Sequence, residues 1–282
     1  MLLLNGFPAL TPASGKDGYD SPPYQKALKP YLDDIVEHMA RLGFDLNHWA
    51  FYPIDEAGGT GWDSIDAQAR FGELMRAARP DVKIYADAGG PDPAMIAKIA
   101  PYVDIWSPGV NMVATEPDKF GIMKATGKML WSYNCSYNNY NKPTDEGRTL
   151  KAADVVSEYR IAGIFAFRHR LTGIGFWTSI TSPEDPWARN QVEYPMLYTG
   201  RSAPVTSRRW EAVREGVEDF RILTALKARL DAKTGPPLSD DARAKITHLL
   251  EVSVPQYIDG ITDEPGLDRL RAEMMDCVAA AG

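Results

Sequence analysis

Cysteine is nearly missing from this chain: Cys135 and Cys277 are the only two in 282 residues. Two cysteines so far apart make neither a disulfide framework nor a zinc site. The four histidines (His38, His48, His169 and His248) show no metal-ligand spacing to one another or to a cysteine. No run of lysine and arginine occurs, and a net charge of -7 argues against a nucleic-acid surface. No apolar stretch is long enough to span a membrane, and Met1–Phe7 lacks the basic flank and apolar length of a secretory signal. Nucleophile elbows, phosphate-cradling loops and dinucleotide fingerprints are missing too, Gly173-Ile174-Gly175 being too short to count as one. Neither metal nor organic cofactor is therefore expected, and the compartment stays open.

What the chain has instead is alternation. Strand-like runs at Leu2-Leu3-Leu4, 48–54, 82–87, 103–106, 128–133 and 173–178 are separated by helical patterns at 24–43, 64–78, 93–100, 115–126 and 150–168. In 24–43, Leu28, Leu32, Ile35, Met39 and Leu42 recur at steps of three and four, and Asp63 or Ser64 caps the next helix. Such alternation implies parallel strands joined by crossover helices. Beyond residue 207 the pattern is wholly helical, at 207–230, 239–253 and 266–280. Six strands fit an open doubly wound sheet, or an eight-stranded barrel whose first two strands lie upstream of Met1.

The segment His48-Trp49-Ala50-Phe51-Tyr52-Pro53-Ile54-Asp55-Glu56-Ala57-Gly58-Gly59 carries the most information. A bulky apolar run that stops at two adjacent carboxylates and then glycine reads as a buried strand and its exit loop. In parallel α/β folds such exits converge on the face that binds ligands. Adjacent carboxylates repel, so one holds its proton more tightly, giving a proton donor beside a standing negative charge. A solvated Asp-Glu at a loop start is the plain alternative. The other exits supply Asp87, Trp106, Trp131, Tyr133, Asn134 and Trp177, and Trp187 follows in the loop after the last strand. Aromatic faces beside acids suit a saccharide, whose C–H faces pack on rings. The same tryptophans could cap the core, and Asp87 could instead form the turn before Ala88-Gly89-Gly90.

Near the end of the alternating region the chain reads Ser207-Arg208-Arg209-Trp210-Glu211-Ala212-Val213-Arg214-Glu215-Gly216-Val217-Glu218-Asp219-Phe220-Arg221-Ile222-Leu223. Together with Pro53-Ile54-Asp55-Glu56, Asp104-Ile105-Trp106-Ser107-Pro108, Trp131-Ser132-Tyr133-Asn134-Cys135, Gly175-Phe176-Trp177 and Asp185-Pro186-Trp187, it resembles the catalytic barrel of glycoside hydrolase family 123 and its domain-of-unknown-function relatives. The matches run in family order over roughly residues 45–225.

The resemblance implies a (β/α)8 TIM barrel, here lacking its first two strands, with a helical C-terminal tail. It implies a barrel domain over 1–230 and a helical extension over 231–282. It also implies a β-N-acetylgalactosaminidase working by substrate assistance, with Glu56 as general acid/base and Asp55 stabilising the 2-acetamido group. Asp87, Trp106, Trp131, Tyr133, Asn134, Trp177 and Trp187 would then contact a carbohydrate substrate. On the helix Arg208, Glu211, Glu215 and Glu218 fall at steps of three and four, an ion-paired face. A silent sugar-binding barrel and a glycosidase of other specificity remain as alternatives.

Overall fold

The computed structural model describes residues 2–5, 16–87, 89–134, 155–180, 195–259 and 263–282. Met1–Ser132 and Tyr133–Gly282 form two compact units. In the first, β1 (Leu2–Asn5) pairs in parallel with β2 (Trp49–Tyr52), setting Leu2 opposite Trp49 and Asn5 opposite Tyr52. A parallel bridge from Phe51 to Ile84 leads on to β3 (Tyr85–Ala86). β3 then pairs with β4 (Ile105–Trp106), and β4 with β5 (Met129–Asn134), both in parallel. All five expected strands of this half thus form. Between them run α1 (Lys16–Tyr19), α2 (Pro22–Arg41), α3 (Ala57–Thr60), α4 (Trp62–Ala78), α5 (Pro93–Ile99), α6 (Val110–Thr115) and α7 (Pro117–Ala125).

Period-two alternation decides which strand residues meet the helices. Trp49 and Phe51 pack with Leu28, Leu32 and Met39 of α2 and with Phe71 and Met75 of α4. Ala50 and Tyr52 face the other way, among Tyr85, Ile105, Met129 and Trp131. All four residues of β2 are buried, as in a sheet covered on both faces. Each large apolar side chain so buried contributes about 1.5–3 kcal/mol.

Arg76, in the last turn of α4, fastens that helix to the sheet. Its guanidinium donates to the carbonyls of Val82 and Tyr102, each at 2.7 Å, and pairs with Asp104. Asp104 in turn accepts the Ile84 N–H at 2.9 Å. Two helix boundaries differ from expectation. α4 starts at Trp62 behind Gly61, whose φ of 101° an L-residue avoids, so Asp63 lies in the first turn and favours the helix dipole from there. The helix expected at 115–126 forms as α7 but starts at Pro117, because Glu116 before proline disfavours the α-helical region, and α6 precedes it where no helix is expected.

In the second unit α8 (Val155–His169) and α9 (Arg208–Asp231) pack backbone against backbone. A Cβ on Gly163 would lie 1.7 Å from the Gly216 carbonyl oxygen, and one on Gly216 would lie 2.3 Å from that of Arg160. Arg160 Nε donates across this crossing to Asp219 Oδ2 at 2.9 Å, both side chains being buried. Burial would pull the Arg160 pKa down, but the pairing with Asp219 outweighs it and the net shift is upward. Gly216 and Asp219 of the long C-terminal motif therefore serve this crossing.

β6 (Gly173–Phe176) lies beside the end of β5, where the Trp177 N–H donates to the Asn134 carbonyl at 3.3 Å. β7 (Leu197–Tyr198) and β8 (Val205–Thr206) form a short antiparallel ribbon that the sequence pattern does not predict. Ser207 caps α9 by accepting the Trp210 N–H at 3.1 Å, and donates to the Met196 carbonyl at 2.7 Å.

The helical tail comprises α10 (Asp240–His248), a π-helical turn at Leu249–Ser253, α11 (Val254–Asp259) and α12 (Glu264–Ala281). α10 and α12 both pack on α9, so residues 231–282 belong to the same compact unit as α9. The chain is an α/β protein with a parallel sheet, a majority of helix and a helical C-terminus.

Candidate active site

The exit of β2 is shaped by one residue in a left-handed conformation. Pro53 and Ile54 follow Tyr52, and Asp55 and Glu56 come next, both exposed to solvent. Glu56 has φ 44° and ψ 47°, a conformation that costs a non-glycine residue about 1–2 kcal/mol. Its surroundings hold it there. The Glu56 N–H donates to Asp87 Oδ1 at 3.0 Å, and its carbonyl accepts the Gly59 N–H at 2.9 Å. Gly89, from the loop after β3, presses on the same backbone: a Cβ at Gly89 would lie 2.5 Å from Glu56 Cβ and 2.6 Å from its Cα. Glycine is required at that position by contact and by its φ of 53°.

Asp87 lies two residues beyond Tyr85 and so shares its face of the sheet. It is 2% exposed, and its Oδ2 contacts the Tyr52 hydroxyl, which also contacts Asp55 Oδ1. Burial raises the Asp87 pKa to about 7, with the negative charges of Asp55 and Glu56 adding to the rise. Burial also lifts the Tyr52 phenol far above its usual range, and the Asp87 and Asp55 carboxylates push it the same way. Tyr85 is shifted upward by burial as well. The Tyr52 and Tyr85 rings meet edge to face at 5.0 Å, and Tyr85 meets Trp131 at 6.0 Å. One face of the sheet thus carries an aromatic row that ends in three carboxylates.

The expected site residues fare differently. Asp55, Glu56, Asp87 and Trp131 lie together in the first unit, on or beyond that face. Trp106 does not join them. Register pairs it with Ala86 and Leu130, which puts it on the helix side of the sheet. There it is 0% exposed, packed with Met95, Ile96, Ile99 and Met123, its Nε1–H donating to Thr126 Oγ1 at 3.2 Å. Trp106 is a core residue and offers no surface to a sugar.

Tyr133, Asn134 and Trp177 lie in the second unit. Tyr133 and Asn134 are half-buried, and Trp177 is 60% exposed directly after β6. Trp187 falls outside the described residues. Arg209 is buried, with its guanidinium over the Tyr159 ring and Nη1 donating to the Pro195 carbonyl at 3.3 Å, an anchoring role. Among the described residues no cluster of His, Cys, Asp and Glu is arranged to hold a metal ion, and no helix is long and apolar enough to cross a membrane.

Two residues of the site escaped the sequence reading: Tyr52 and Gly89. Tyr52 was legible only as strand filling, yet its parity with Ala50, opposite to Trp49 and Phe51, would have put its hydroxyl on the carboxylate face. Gly89 stood in an ordinary Ala-Gly-Gly turn with nothing to mark its contact with Glu56.

Comparison with known proteins bears on this arrangement. No functionally curated protein matches the sequence. Among solved structures, the endo-β-1,4-mannanase from Thermotoga petrophila is similar at 14% identity and a TM-score of 0.39, over 73% of this chain and 52% of that chain. The chain thus spans about half the length of that enzyme, and at so low a score the likeness carries no argument. Residues 16–226, about three quarters of the chain, match the family described as glycoside hydrolase 123, catalytic domain. The stretch includes β2 with its two carboxylates, β3 with Asp87, and most of α9 with its crossing glycine. The chain belongs to glycoside hydrolase family 123 and carries that family's catalytic domain, the domain of a glycosidase.

Proposed function

We propose that this chain hydrolyses β-linked N-acetylhexosaminides, N-acetylgalactosaminides foremost, with retention and by substrate assistance, on a (β/α)8 barrel that its parallel strands help to build. The observation that carries the reading is the pair Asp55-Glu56 at the exit of β2, exposed and held by different means. Asp55 is fixed through its side chain, by the Tyr52 hydroxyl at Oδ1. Glu56 is fixed through its backbone, by Asp87 at its N–H and Gly89 against its Cα.

In the first step the carbonyl oxygen of the substrate's 2-acetamido group attacks the anomeric carbon. The glycosidic C–O bond breaks, and Glu56 gives its proton to the leaving oxygen. Asp55, through Oδ2, accepts the acetamido N–H and stabilises the positive charge that develops on the oxazolinium ring. In the second step Glu56 takes a proton from water, the oxygen of that water attacks the anomeric carbon, and the ring reopens to the acetamide. Two inversions leave the anomeric configuration unchanged. No carboxylate attacks the sugar, which sets this scheme apart from the two-carboxylate retaining mechanism. Trp131, Tyr133, Asn134, Trp177 and Trp187 are the proposed sugar contacts.

Replacing Glu56 by glutamine tests the assignment. The variant keeps the fold by circular dichroism and loses activity on an aryl β-N-acetylgalactosaminide by at least about a hundredfold, the scale of one general acid/base group. Near-full activity in the Glu56→Gln enzyme sinks the assignment. Hydrolysis of an aryl sugar lacking the 2-acetamido group at a comparable rate sinks substrate assistance.

A further inference from the structure

Three oxygen atoms in the first unit share too few hydrogens. The Tyr52 hydroxyl carries one, and it is in contact with two carboxyl oxygens, Asp87 Oδ2 and Asp55 Oδ1. If both carboxyls were ionised, one of these contacts would set lone pair against lone pair. A phenolate at Tyr52 would worsen matters, and burial beside two acids opposes it. A second hydrogen must therefore sit on one of the carboxyls.

Burial decides which. Asp55 faces water, whereas Asp87 is 2% exposed. Asp87 is faced by Tyr52 of β2, by Asp55 and Glu56 of the loop beyond it, and by Tyr85 of β3. Its charged neighbours are thus acids. Its Oδ1 already accepts the Glu56 N–H at 3.0 Å, so the hydrogen belongs on Oδ2, the atom that touches Tyr52.

We propose that Asp87 is a protonated positioning residue, donating from Oδ2 to the Tyr52 oxygen so that Tyr52 donates its own hydrogen to Asp55 Oδ1. One buried acid then orients both exposed ones, Asp55 through the phenol and Glu56 through its backbone. When the Asp87 proton leaves to solvent, a single hydrogen remains between two anions, and Asp55 loses its fixed donor. Turnover falls with it, while substrate affinity changes less. This assignment rests on the roles proposed for Asp55 and Glu56.

The variant Asp87→Asn separates this from a merely structural role. A carboxamide donates from Nδ2 to Tyr52 and accepts the Glu56 N–H at Oδ1, copying the protonated acid without its ability to ionise. The expected result is kcat within about threefold of wild type at pH 5, with the alkaline limb of the pH–rate profile moved upward by about a pH unit or more. Asp87→Ala and Tyr52→Phe lower kcat by about tenfold or more with smaller changes in KM. If the limb belonged to Glu56 alone, removing a neighbouring negative charge would move it downward; a limb that stays or moves down overturns the proposal.

A measurement without turnover keeps the two readings distinguishable. Infrared spectra of 13C-aspartate-labelled full-length protein, titrated from pH 5 to 9, should show a protonated carboxyl band that disappears through neutral pH. The band should be missing from Asp87→Asn, and Tyr52→Phe should shift its frequency. No such band in the wild-type protein at pH 5 overturns the assignment, even if the protein turns over no substrate. Absence of turnover with the band present sinks only the proposed activity.

Discussion

Replacing Gly216 by alanine places a methyl group where the α8–α9 crossing has no room. The new Cβ would lie 2.3 Å from the Arg160 carbonyl oxygen, a backbone atom that cannot swing aside. The helices must part by roughly 1 Å to restore van der Waals contact. Overpacking of this kind costs about 1–3 kcal/mol. Parting the helices also stretches the Arg160–Asp219 pair, now 2.9 Å and buried at both ends, and breaking such a pair outright costs about 3–5 kcal/mol. Against this, alanine gains about 1 kcal/mol of helix propensity over glycine. A net loss of about 2–4 kcal/mol is expected, read as a lower urea midpoint at unchanged slope. Gly121 supplies the control. It is exposed within α7, and a Cβ there meets nothing within 4 Å, so Gly121→Ala keeps only the propensity gain of about 1 kcal/mol. Opposite shifts in the two alanine variants, followed by far-ultraviolet circular dichroism and tryptophan fluorescence, support the reasoning. A Gly216→Ala protein as stable as wild type refutes it.

Gly89→Ala should lower kcat by about tenfold or more while leaving the fold intact, because its Cβ would displace the Glu56 backbone by an amount of the order that misplaces a catalytic group; full activity in that variant would show that the contact does not position Glu56. Asp87 also predicts a dependence of stability on pH. Burial raises its pKa to about 7 in the folded protein, well above the usual carboxylate range, so the folded state binds the proton more tightly. The stabilisation is complete below about pH 4 and is lost as pH rises through about 7, at a slope of at most about 1.4 kcal/mol per pH unit. Denaturation midpoints of wild type relative to Asp87→Asn should therefore fall across that window, and parallel curves for the two proteins would exclude the shifted carboxyl.

The alternation of strand and helix was readable because bulky β-branched and aromatic runs fill a sheet, while leucines at helical spacing face it. β1, weakest of the expected strands with three leucines, forms because β2 offers it a full parallel register from Leu2 to Asn5. What local pattern could not show were features fixed by contacts distant in sequence. β7 and β8 are two residues each and exist as partners of one another. The helix expected over 239–253 carries a π-helical turn from Leu249, which no composition signal marks. The crossing motif in α9 was legible as an ion-paired face, yet its glycine and Asp219 act across to α8, and only the packing of two helices reveals that.

At the site, the sequence showed the acids but not what holds them. Reading strand exits as a set treats the last residue of every strand alike, whereas side chains alternate, so about half of such residues face the helices. Counting from Tyr52 through the register puts Tyr85, Ile105, Met129 and Trp131 on one face, and Trp106, one residue out of phase, on the other. The same count turns Asp87 from a turn former or sugar contact into a buried support, since two residues past Tyr85 it returns to the Tyr52 face. Adjacency in sequence then becomes a difference in how each acid is held. Asp55 lies near enough to Tyr52 for its carboxylate to reach back to the strand end and be held there. Glu56, turned by a φ of 44°, is gripped at its N–H instead. A dipeptide with one member held at its carboxylate by Tyr52 and the other at its N–H by Asp87 can give its two carboxyls separate tasks, and that is the physical content of the paired acids at this exit.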